Sequence, residues 1–274
     1  MPSSLANVNE ALLRKYILGC HIIHHHKVVD AYGHLSVRLS ESVFLMCRYM
    51  APALVARRED LVLYSVDTGE SLQDNAPRGF SERYIHSEVY KAYPNVYAVI
   101  HSHSLDVVPF SLLPSTPLRA CIHIAGFLGT AVPVWDATAS YYHEHPDVDR
   151  SMLVNNTDMG ASLAEALGQG EDGLPANSVA LMRGHGYVCT GDSIEMVVAK
   201  AIYTAQNARV QMTAVGLLAA TSGQASTSDG TAGVQFFDDR EAGDTGRTTI
   251  QGAAKPWPLW VAEVTGDPLY RIEL

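Results

Sequence analysis

The chain has 274 residues, of which 47% are hydrophobic and 18% are charged, and its formal net charge at pH 7 is −10. This composition is typical of a folded globular protein and excludes disordered, collagen-like and coiled-coil chains. An acidic chain without a run of Lys and Arg lacks the positive surface by which proteins bind nucleic acids or anionic membranes. We therefore expect neither as a partner.

The N-terminal residues and the cysteines indicate where the protein works. The first ten residues lack the basic and then apolar pattern of a secretory signal, and no stretch has the roughly 18 apolar residues that span a bilayer. The four cysteines form no Cys-x-x-Cys pair, which argues against a zinc ribbon or a disulfide framework. These observations predict a soluble, cytoplasmic protein with reduced thiols.

Helix and strand patterns alternate through the first 220 residues. Apolar residues at helical spacing predict helices over residues 8–26, 81–93, 158–167 and 193–220. Alternating or continuous apolar runs predict strands over residues 35–39, 43–46, 61–66, 96–101, 131–134 and 178–183. Ser81 is suited to cap the second helix. Because no second core or internal repeat is visible, we predict one α/β domain over residues 1–220.

The composition changes after this domain. Residues 221–255 are dominated by Gly, Ser, Thr, Asp and Ala, which predicts a flexible loop. Residues 256–274 contain two of the three tryptophans of the chain, Trp257 and Trp260. We therefore predict a C-terminal arm over these residues that docks on another surface.

Three histidines and one acid form the main chemical pattern. His101 and His103 end the predicted strand 96–101, and side chains two residues apart on a strand point to the same face. His185 also follows an apolar strand, and its flanking glycines allow a tight turn. Glu82 lies at the start of the helix that precedes the His101 strand. This set favours a divalent metal site in which Glu82 is a fourth ligand or a general base.

Three runs of residues together resemble the class II aldolase/adducin superfamily. They are Ser-Glu-Arg-Tyr-Ile-His at 81–86, Val-Ile-His-Ser-His-Ser at 99–104 and Arg-Gly-His-Gly at 183–186. In that family a Ser-Glu pair precedes an apolar strand that ends in His-x-His, and a later His-Gly supplies a third metal ligand. The resemblance covers roughly residues 8–220. It implies a three-layer α/β/α fold around a central, mostly antiparallel sheet.

The resemblance also implies a metal and an assembly. His101, His103 and His185 would hold one divalent ion per subunit, with zinc favoured and manganese or iron as alternatives. Glu82 would be the acid/base or the fourth ligand. Enzymes of the family are commonly tetramers whose sites lie between subunits, often completed by an aromatic residue near the C-terminus. We therefore expect a homotetramer with the C-terminal arm at or near an interface.

Three segments depart from the sugar-phosphate aldolases of this family. Those enzymes bind phosphate with a Gly-Asn-x-Ser turn, a Thr-x-Ser-Gly loop and a Ser-Ser pair before the acid. This chain has His34 in place of the Asn, the bulky segment 46–52 in place of the hydroxyl loop, and Phe80 in place of the first serine. Because a phosphate needs several donors in a small, open nest, we expect phosphorylated aldol substrates to be poor.

The segments 30–34, 44–48 and 182–186 resemble the branch of the family that removes CO2 from hydroxylated pyridine dicarboxylates. An arginine such as Arg48 can bind a carboxylate through two parallel hydrogen bonds. Tyr32 lies in a Gly-containing turn before a strand, and Ser81 precedes the acid. We predict Arg48, Tyr32 and Ser81 as substrate-binding residues. Glu82 and His34 are predicted to be catalytic, handling the proton that replaces CO2.

The leading hypothesis is a metal-dependent lyase that decarboxylates a hydroxylated aromatic or heteroaromatic acid, so that a small carboxylic acid is the expected partner. The ion would act as a Lewis acid. The first alternative is an aldolase or retro-aldolase acting on a non-phosphorylated substrate. A second is a non-haem iron oxygenase, since two histidines and a carboxylate also bind such iron. The third is a non-catalytic, adducin-like binding module, although that role requires lost ligands and all four candidates are present.

The remaining histidines carry weaker signals. The run 24–26 ends the first helix and is interpreted as solvated or helix-terminal. His86 lies four residues after Glu82 on the same helix face, where it is either a partner of the site or an ordinary buried histidine. His143 and His145 fall in a polar loop and are predicted to be solvated.

Overall fold

The computed structural model describes residues 4–222, 233–252 and 254–274. Its helices are α1 Glu10–His25, α2 Arg83–Ala92, α3 Val108–Leu112, α4 Thr157–Glu165, α5 Ile194–Ser222, α6 Asp239–Gly252 and α7 Trp257–Thr265. Its strands are β1 His34–Arg38, β2 Val43–Cys47, β3 Leu61–Ser65, β4 Ala98–Ser102, β5 Val134–Trp135, β6 Val179–Met182 and β7 Gly186–Gly191. None of the helices described is both long enough and apolar enough to cross a membrane.

The seven strands of the described residues form one sheet in the order β3-β2-β1-β4-β7-β6-β5. Neighbouring strands run antiparallel except β5 and β6, which run parallel, so the predicted mostly antiparallel sheet is confirmed. The pairing of β1 with β4 sets His34 opposite His101. Because directly opposed residues of antiparallel strands share a face, this register places the two imidazoles side by side.

Helices cover both faces of the sheet. Leu35 packs on α1, where a Cβ added at Gly19 would lie 2.9 Å from Leu35 Cδ2. The next residue, Ser36, hydrogen-bonds His86 and Tyr90 of α2. Because successive strand side chains point to opposite faces, α1 and α2 lie on opposite sides of the sheet. With α5 packed beside α1 and α4 packed on α2, the predicted three-layer arrangement is confirmed.

Two local predictions about element boundaries are wrong. Ser81 does not cap α2, because the helix begins at Arg83 and Glu82 occupies the capping position without a side-chain capping bond. Ser81 lies exposed in the preceding turn. The strand predicted at 131–134 starts only at Val134, because β5 has just two residues paired to β6.

The segment 221–255, predicted as a flexible loop, contains the helix α6. This helix packs against the turn at 123–128, and its Ala242 is buried there. Gly126 lies so close to α6 that an added Cβ would collide with Thr245. Close packing of small residues, rather than intrinsic helix propensity, therefore stabilises α6. The part of the predicted loop at 223–232 lies outside the described residues.

The C-terminal arm docks on α1 of its own chain. Trp260 and Tyr270 are buried, and the Trp260 ring meets that of His26 edge-on with the centroids 5.2 Å apart. Tyr270 packs on His21 with the centroids 5.2 Å apart, and its hydroxyl lies 2.9 Å from His24 Nδ1. The arm therefore covers part of the histidine run that ends α1.

His21 predicts a pH dependence of stability. Its Nε2 lies 2.7 Å from the carbonyl oxygen of Val55, and burial lowers its pKa to about 4. Because the folded state then binds fewer protons than the unfolded state, the stability due to neutral His21 is complete above about pH 6.5 and is lost as the pH falls towards 4. The total loss from this group is about 3 kcal/mol.

The free energy of unfolding of the wild type should fall as the pH is lowered from 6.5 to 4. We expect this fall to be smaller in His21→Gln, which keeps an N–H donor. Urea denaturation across this pH range measures the difference from the wild type. The exposed His143 supplies the control, since His143→Gln should retain the wild-type slope. A wild-type slope in His21→Gln as well contradicts the prediction.

Candidate metal centre

The first two histidines of the centre lie at the end of β4. His101 is the fourth residue of the strand and His103 follows its last residue, and their Nε2 atoms lie 2.8 Å apart. His101 is fully buried, and its Nδ1 lies 3.1 Å from the carbonyl oxygen of Tyr187 on the neighbouring strand β7. A hydrogen bond donated from Nδ1 to that oxygen leaves the lone pair of Nε2 free to bind an ion.

The third histidine comes from the turn between β6 and β7. The pairing of Ser102 with Tyr187 brings this turn beside the end of β4. Gly186 approaches β4 so closely that an added Cβ would collide with the carbonyl oxygen of Ser102, so glycine is needed there. As a result His185 Nε2 lies 3.0 Å from His103 Nε2.

Glu82 brings a carboxylate to the three imidazoles from the start of α2. Its Oε2 lies 3.6 Å from His101 Nε2 and 3.8 Å from His103 Nε2, and its Oε1 lies 3.5 Å from His185 Nε2. The side chain is 7% exposed, and Oε1 also accepts a hydrogen bond of 3.4 Å from the backbone N–H of Val154. The four residues offer ligand atoms that all lie within 4.8 Å of one another.

This donor set fits a divalent ion. Ligand atoms bound tetrahedrally to zinc at about 2.1 Å lie roughly 3.4 Å apart, and the contacts above range from 2.8 to 3.8 Å. Burial lowers the pKa of His101 and His185, which keeps both imidazoles neutral. Burial also opposes ionisation of Glu82, but the neighbouring imidazoles, His101 foremost, outweigh it and hold its pKa well below the usual range. His101, His185 and Glu82 are therefore in their ligating forms at neutral pH.

His34 lies at the edge of this cluster. It is fully buried, its ring centroid lies 5.2 Å from that of His101, and its Nε2 lies 3.9 Å from Glu82 Oε2. Phe80 also packs on the His34 ring, with the centroids 4.5 Å apart. Among the described residues Nε2 has no hydrogen-bond partner. A buried polar atom is therefore available beside the carboxylate.

Of the predicted substrate-binding residues, Tyr32 lies against the cluster. Its ring stacks on that of His103 with the centroids 6.2 Å apart, and 55% of the residue is exposed. Ser81 adjoins Glu82 in the chain and is exposed. Tyr32 is therefore positioned on the open side of the centre.

Arg48 has a different environment. The pairing of β2 with β3 sets Cys47 opposite Leu61, which brings Arg48 beside Asp60. Arg48 Nε donates to Asp60 Oδ1 at 3.0 Å, and none of the hydrogen bonds described for Arg48 reaches the cluster. Asp60 engages only Nε, and the Arg48 side chain is 43% exposed, so substrate binding by Arg48 stays a prediction.

A buried array of side chains supports His34. His34 Nδ1 lies 2.7 Å from His86 Nε2, His86 Nδ1 lies 2.6 Å from Ser36 Oγ, and Ser36 Oγ lies 2.7 Å from Tyr90 OH. The sequence interpretation left His86 open and missed the other two. The signal was present, because β1 carries His34 and Ser36 at a spacing of two. Glu82, which occupies the capping position of α2, is followed in that helix by His86 and Tyr90 at a spacing of four.

A cavity of about 630 Å³ opens beside His103. Its lining combines aliphatic, aromatic and charged side chains of both signs, among them Val29, Tyr270, Lys27, Asp30 and Arg209. Cavities of this size are typical of small-molecule sites. The exposed edge of the cluster therefore faces a space that can admit a ligand.

Comparison with known proteins places the chain in a family. The family model described as the class II aldolase and adducin N-terminal domain matches residues 15–212. The chain is 42% identical over 262 residues to decarboxylase tropJ of Talaromyces stipitatus, covering 94% of this chain and 96% of that protein. It is 28% identical over 228 residues to the 3,4-dihydroxyphthalate decarboxylase of Arthrobacter keyseri, covering 78% of this chain and 82% of that protein.

The fold comparison agrees with the sequence comparison. An aldolase II superfamily protein from Pseudomonas syringae matches this structure with a TM-score of 0.70 at 16% identity, covering 97% of each chain. The resemblance carried by the Ser-Glu, His-x-His and His-Gly runs is thus confirmed. This chain belongs to the class II aldolase and adducin N-terminal domain family.

Proposed function

We propose that this protein is a metal-dependent lyase that decarboxylates a hydroxylated aromatic or heteroaromatic carboxylic acid. The observation that carries the proposal is the convergence of Glu82, His101, His103 and His185, whose ligand atoms lie within 4.8 Å of one another. The two relatives named as decarboxylases support the reaction type, and one of them is named for a dihydroxylated aromatic acid.

The surroundings of the cluster favour a flat ring over a sugar phosphate. His34 and Phe80, which replace hydrogen-bonding residues of the sugar-phosphate aldolases, pack together with ring centroids 4.5 Å apart. Phe80 also meets the Tyr49 ring edge-on at 5.3 Å. Because aromatic faces offer stacking area and no phosphate donors, this wall suits a planar substrate.

In the proposed mechanism His101, His103 and His185 hold the ion, and Glu82 is either a fourth ligand or the acid/base. A bound divalent ion supplies Lewis-acid chemistry, withdrawing charge from the substrate's oxygen atoms. When the bond between the ring carbon and the carboxylate breaks, CO2 leaves and its electron pair stays on the ring carbon. Glu82 or His34 first accepts the proton of the substrate's hydroxyl group and then delivers it to this carbon.

Each of the other predicted residues is assigned a role from its contacts. Tyr32 stacks on His103 and is mostly exposed, so we assign it to the substrate's ring. Ser81 precedes Glu82 and is assigned a polar contact with the substrate. Arg48 is held by Asp60 through Nε, and its half-exposed guanidinium is assigned to a carboxylate of the substrate.

Three further properties belong to the same proposal. Three imidazoles and a carboxylate suit zinc, with manganese or iron as alternatives. Homo-oligomers of closed symmetry are the commonest soluble assemblies, and the family resemblance favours a tetramer. Free cysteines are typical of a reducing compartment and favour a cytoplasmic location.

The proposal predicts which compounds the metal-loaded protein consumes. Aromatic acids with a hydroxyl next to the carboxylate, such as 3,4-dihydroxyphthalate, should release CO2 at roughly 1–1,000 per second, the usual enzyme range. Phthalate, which lacks the hydroxyls, is the matched control and should be inert. Fuculose 1-phosphate should also be inert, because the phosphate nest is replaced. Cleavage of fuculose 1-phosphate at enzyme rates, without CO2 release from any acid, contradicts the proposal.

A further inference from the structure

We propose that the groove between α6 and α7 is a second binding site, which takes a small organic anion with an apolar body, such as an aromatic carboxylate. The groove has a volume of about 520 Å³, a size typical of small-molecule sites. Its lining includes Ile124, Tyr203, Pro256, Leu259, His123 and Lys255. The inference goes beyond the proposed function, because none of these residues belongs to the metal centre.

The groove is built by a part of the chain that follows the family domain. The family model ends at residue 212, whereas α6 and α7 lie after it. The helix α6 packs on the turn at 123–128, and Trp260 of α7 packs on Tyr203 of α5 with the ring centroids 6.1 Å apart. The groove shares no lining residue with the cavity beside His103. The two spaces can therefore be occupied independently.

The wall of the groove is apolar. Ile124 and Tyr203 are half-buried, and Leu259 is 60% exposed. A ligand with an apolar body removes these surfaces and its own surface from water, which is the main driving force for association. The Tyr203 ring also offers an aromatic contact to a ring of the ligand. The wall therefore favours an aromatic body.

The charged edge of the groove is cationic. Lys255 and His123 belong to the lining, and among the described residues no Asp or Glu does, although the chain has 29 acidic residues against 19 Lys and Arg. Within the described part of the chain, neither side chain makes an ion pair or a hydrogen bond. An ammonium group and an imidazole N–H can both donate to a carboxylate. The charge of the groove is therefore complementary to an anion.

The sequence between α5 and α6 does not supply an occupant of this chemistry. Residues 223–232 contain no aromatic and no branched aliphatic residue, so they cannot cover the apolar wall. A small aromatic acid offers both the apolar body and the negative charge that the lining requires.

The test is calorimetric titration of the metal-loaded protein with 2-naphthoate, which we expect to bind with a Kd below about 1 mM. The matched ligand 2-naphthamide has the same shape without the negative charge and should bind about fivefold more weakly or worse. Titration of His103→Ala, which weakens the metal centre, separates binding at the ion from binding in the groove. The naphthoate site should persist in this variant.

Two groove variants locate the site. Lys255→Glu reverses the charge and should weaken naphthoate binding about fivefold or more, whereas Lys255→Arg should keep it. Leu259→Trp places an indole in the groove and should remove the binding. Leu217 of α5 is also exposed, at 62%, so Leu217→Trp is the matched control and should bind naphthoate like the wild type. Because the changed residues are exposed, each variant should keep the wild-type Tm.

Three results overturn the proposal: equal affinity for the two ligands, unchanged affinity in either groove variant, or loss of all naphthoate binding in His103→Ala. Light scattering tests a second copy of the chain as the occupant. A lower assembly mass in Leu259→Trp than in the wild type would assign the groove to a contact between copies and overturn the proposal as well. An unchanged mass together with lost naphthoate binding supports it, whether or not the protein releases CO2 from any acid.

Discussion

The double variant His101→Ala/His103→Ala is expected to lose its divalent ion. Of the four residues whose ligand atoms converge, only Glu82 and His185 would remain. Loss of a single outer partner of a metal ligand typically weakens affinity about 10- to 100-fold, and loss of two direct ligands should exceed this. Metal analysis should find about one ion per subunit in the wild type and far less in the variant.

The chain offers a control with the same motif. His143 and His145 form a second His-x-His pair, in which His145 packs on Tyr141 with the ring centroids 4.4 Å apart. His143→Ala/His145→Ala should retain the metal. Added zinc at 100 times its dissociation constant should stabilise the wild type and this control by about 2.7 kcal/mol, seen as a higher Tm, but not the double variant.

Because His101 is fully buried, the double variant tests folding as well as binding. His103→Ala provides a milder test, since 30% of that side chain is exposed. Circular dichroism of both variants separates unfolding from loss of a ligand. Stoichiometric metal in a folded double variant would refute the assignment of these ligands.

The metal cluster was predictable because each of its parts depends on a short stretch of sequence. The spacing of His101 and His103 on a strand fixes their common face. The glycine beside His185 signals the close approach of the β6–β7 turn to β4, which the structure shows. The residues alone did not predict that these segments lie side by side, because their proximity depends on the pairing of β4 with β7.

The contacts of Arg48 and of the array of His34, His86, Ser36 and Tyr90 were not predictable in the same way, because they depend on register. Arg48 meets Asp60 only because β2 and β3 pair with Cys47 opposite Leu61. Ser36 meets α2 because β1 turns its even-numbered residues to that face. A shift of the pairing by one residue would turn the side chains of either strand to the opposite face of the sheet. Local sequence propensity does not determine which of these registers forms.

The helix α6 was not predicted, because the composition of its segment is typical of a loop and its helical structure depends on tertiary packing. Its residues include three glycines and three threonines, which favour coil in isolation. The close contact with Gly126 and the burial of Ala242 depend on the turn at 123–128, more than 100 residues earlier in the chain. No pattern within residues 221–255 signals that partner.

The variant Glu82→Gln is expected to reduce turnover about 100- to 10,000-fold while the protein keeps its fold and much of its metal. The amide has the shape of the carboxylate but cannot accept and return a proton at neutral pH. Steady-state kinetics with a hydroxylated aromatic acid, together with metal analysis of the same samples, measures both effects. If Glu82 is only a fourth ligand, metal affinity should fall instead and excess metal should restore the rate.

The structure also allows the purely structural role of Glu82 to be tested. A helix N-terminal acid contributes about 0.3–1 kcal/mol through the helix dipole, but Glu82 makes no side-chain capping bond and directs its carboxylate towards three imidazoles. Glu88, a buried acid of the same helix that pairs with Lys91 at 2.8 Å, is the matched control. Glu88→Gln should change stability but not turnover. Near-normal turnover in Glu82→Gln would leave Glu82 with a structural role and make His34 the group that handles the proton.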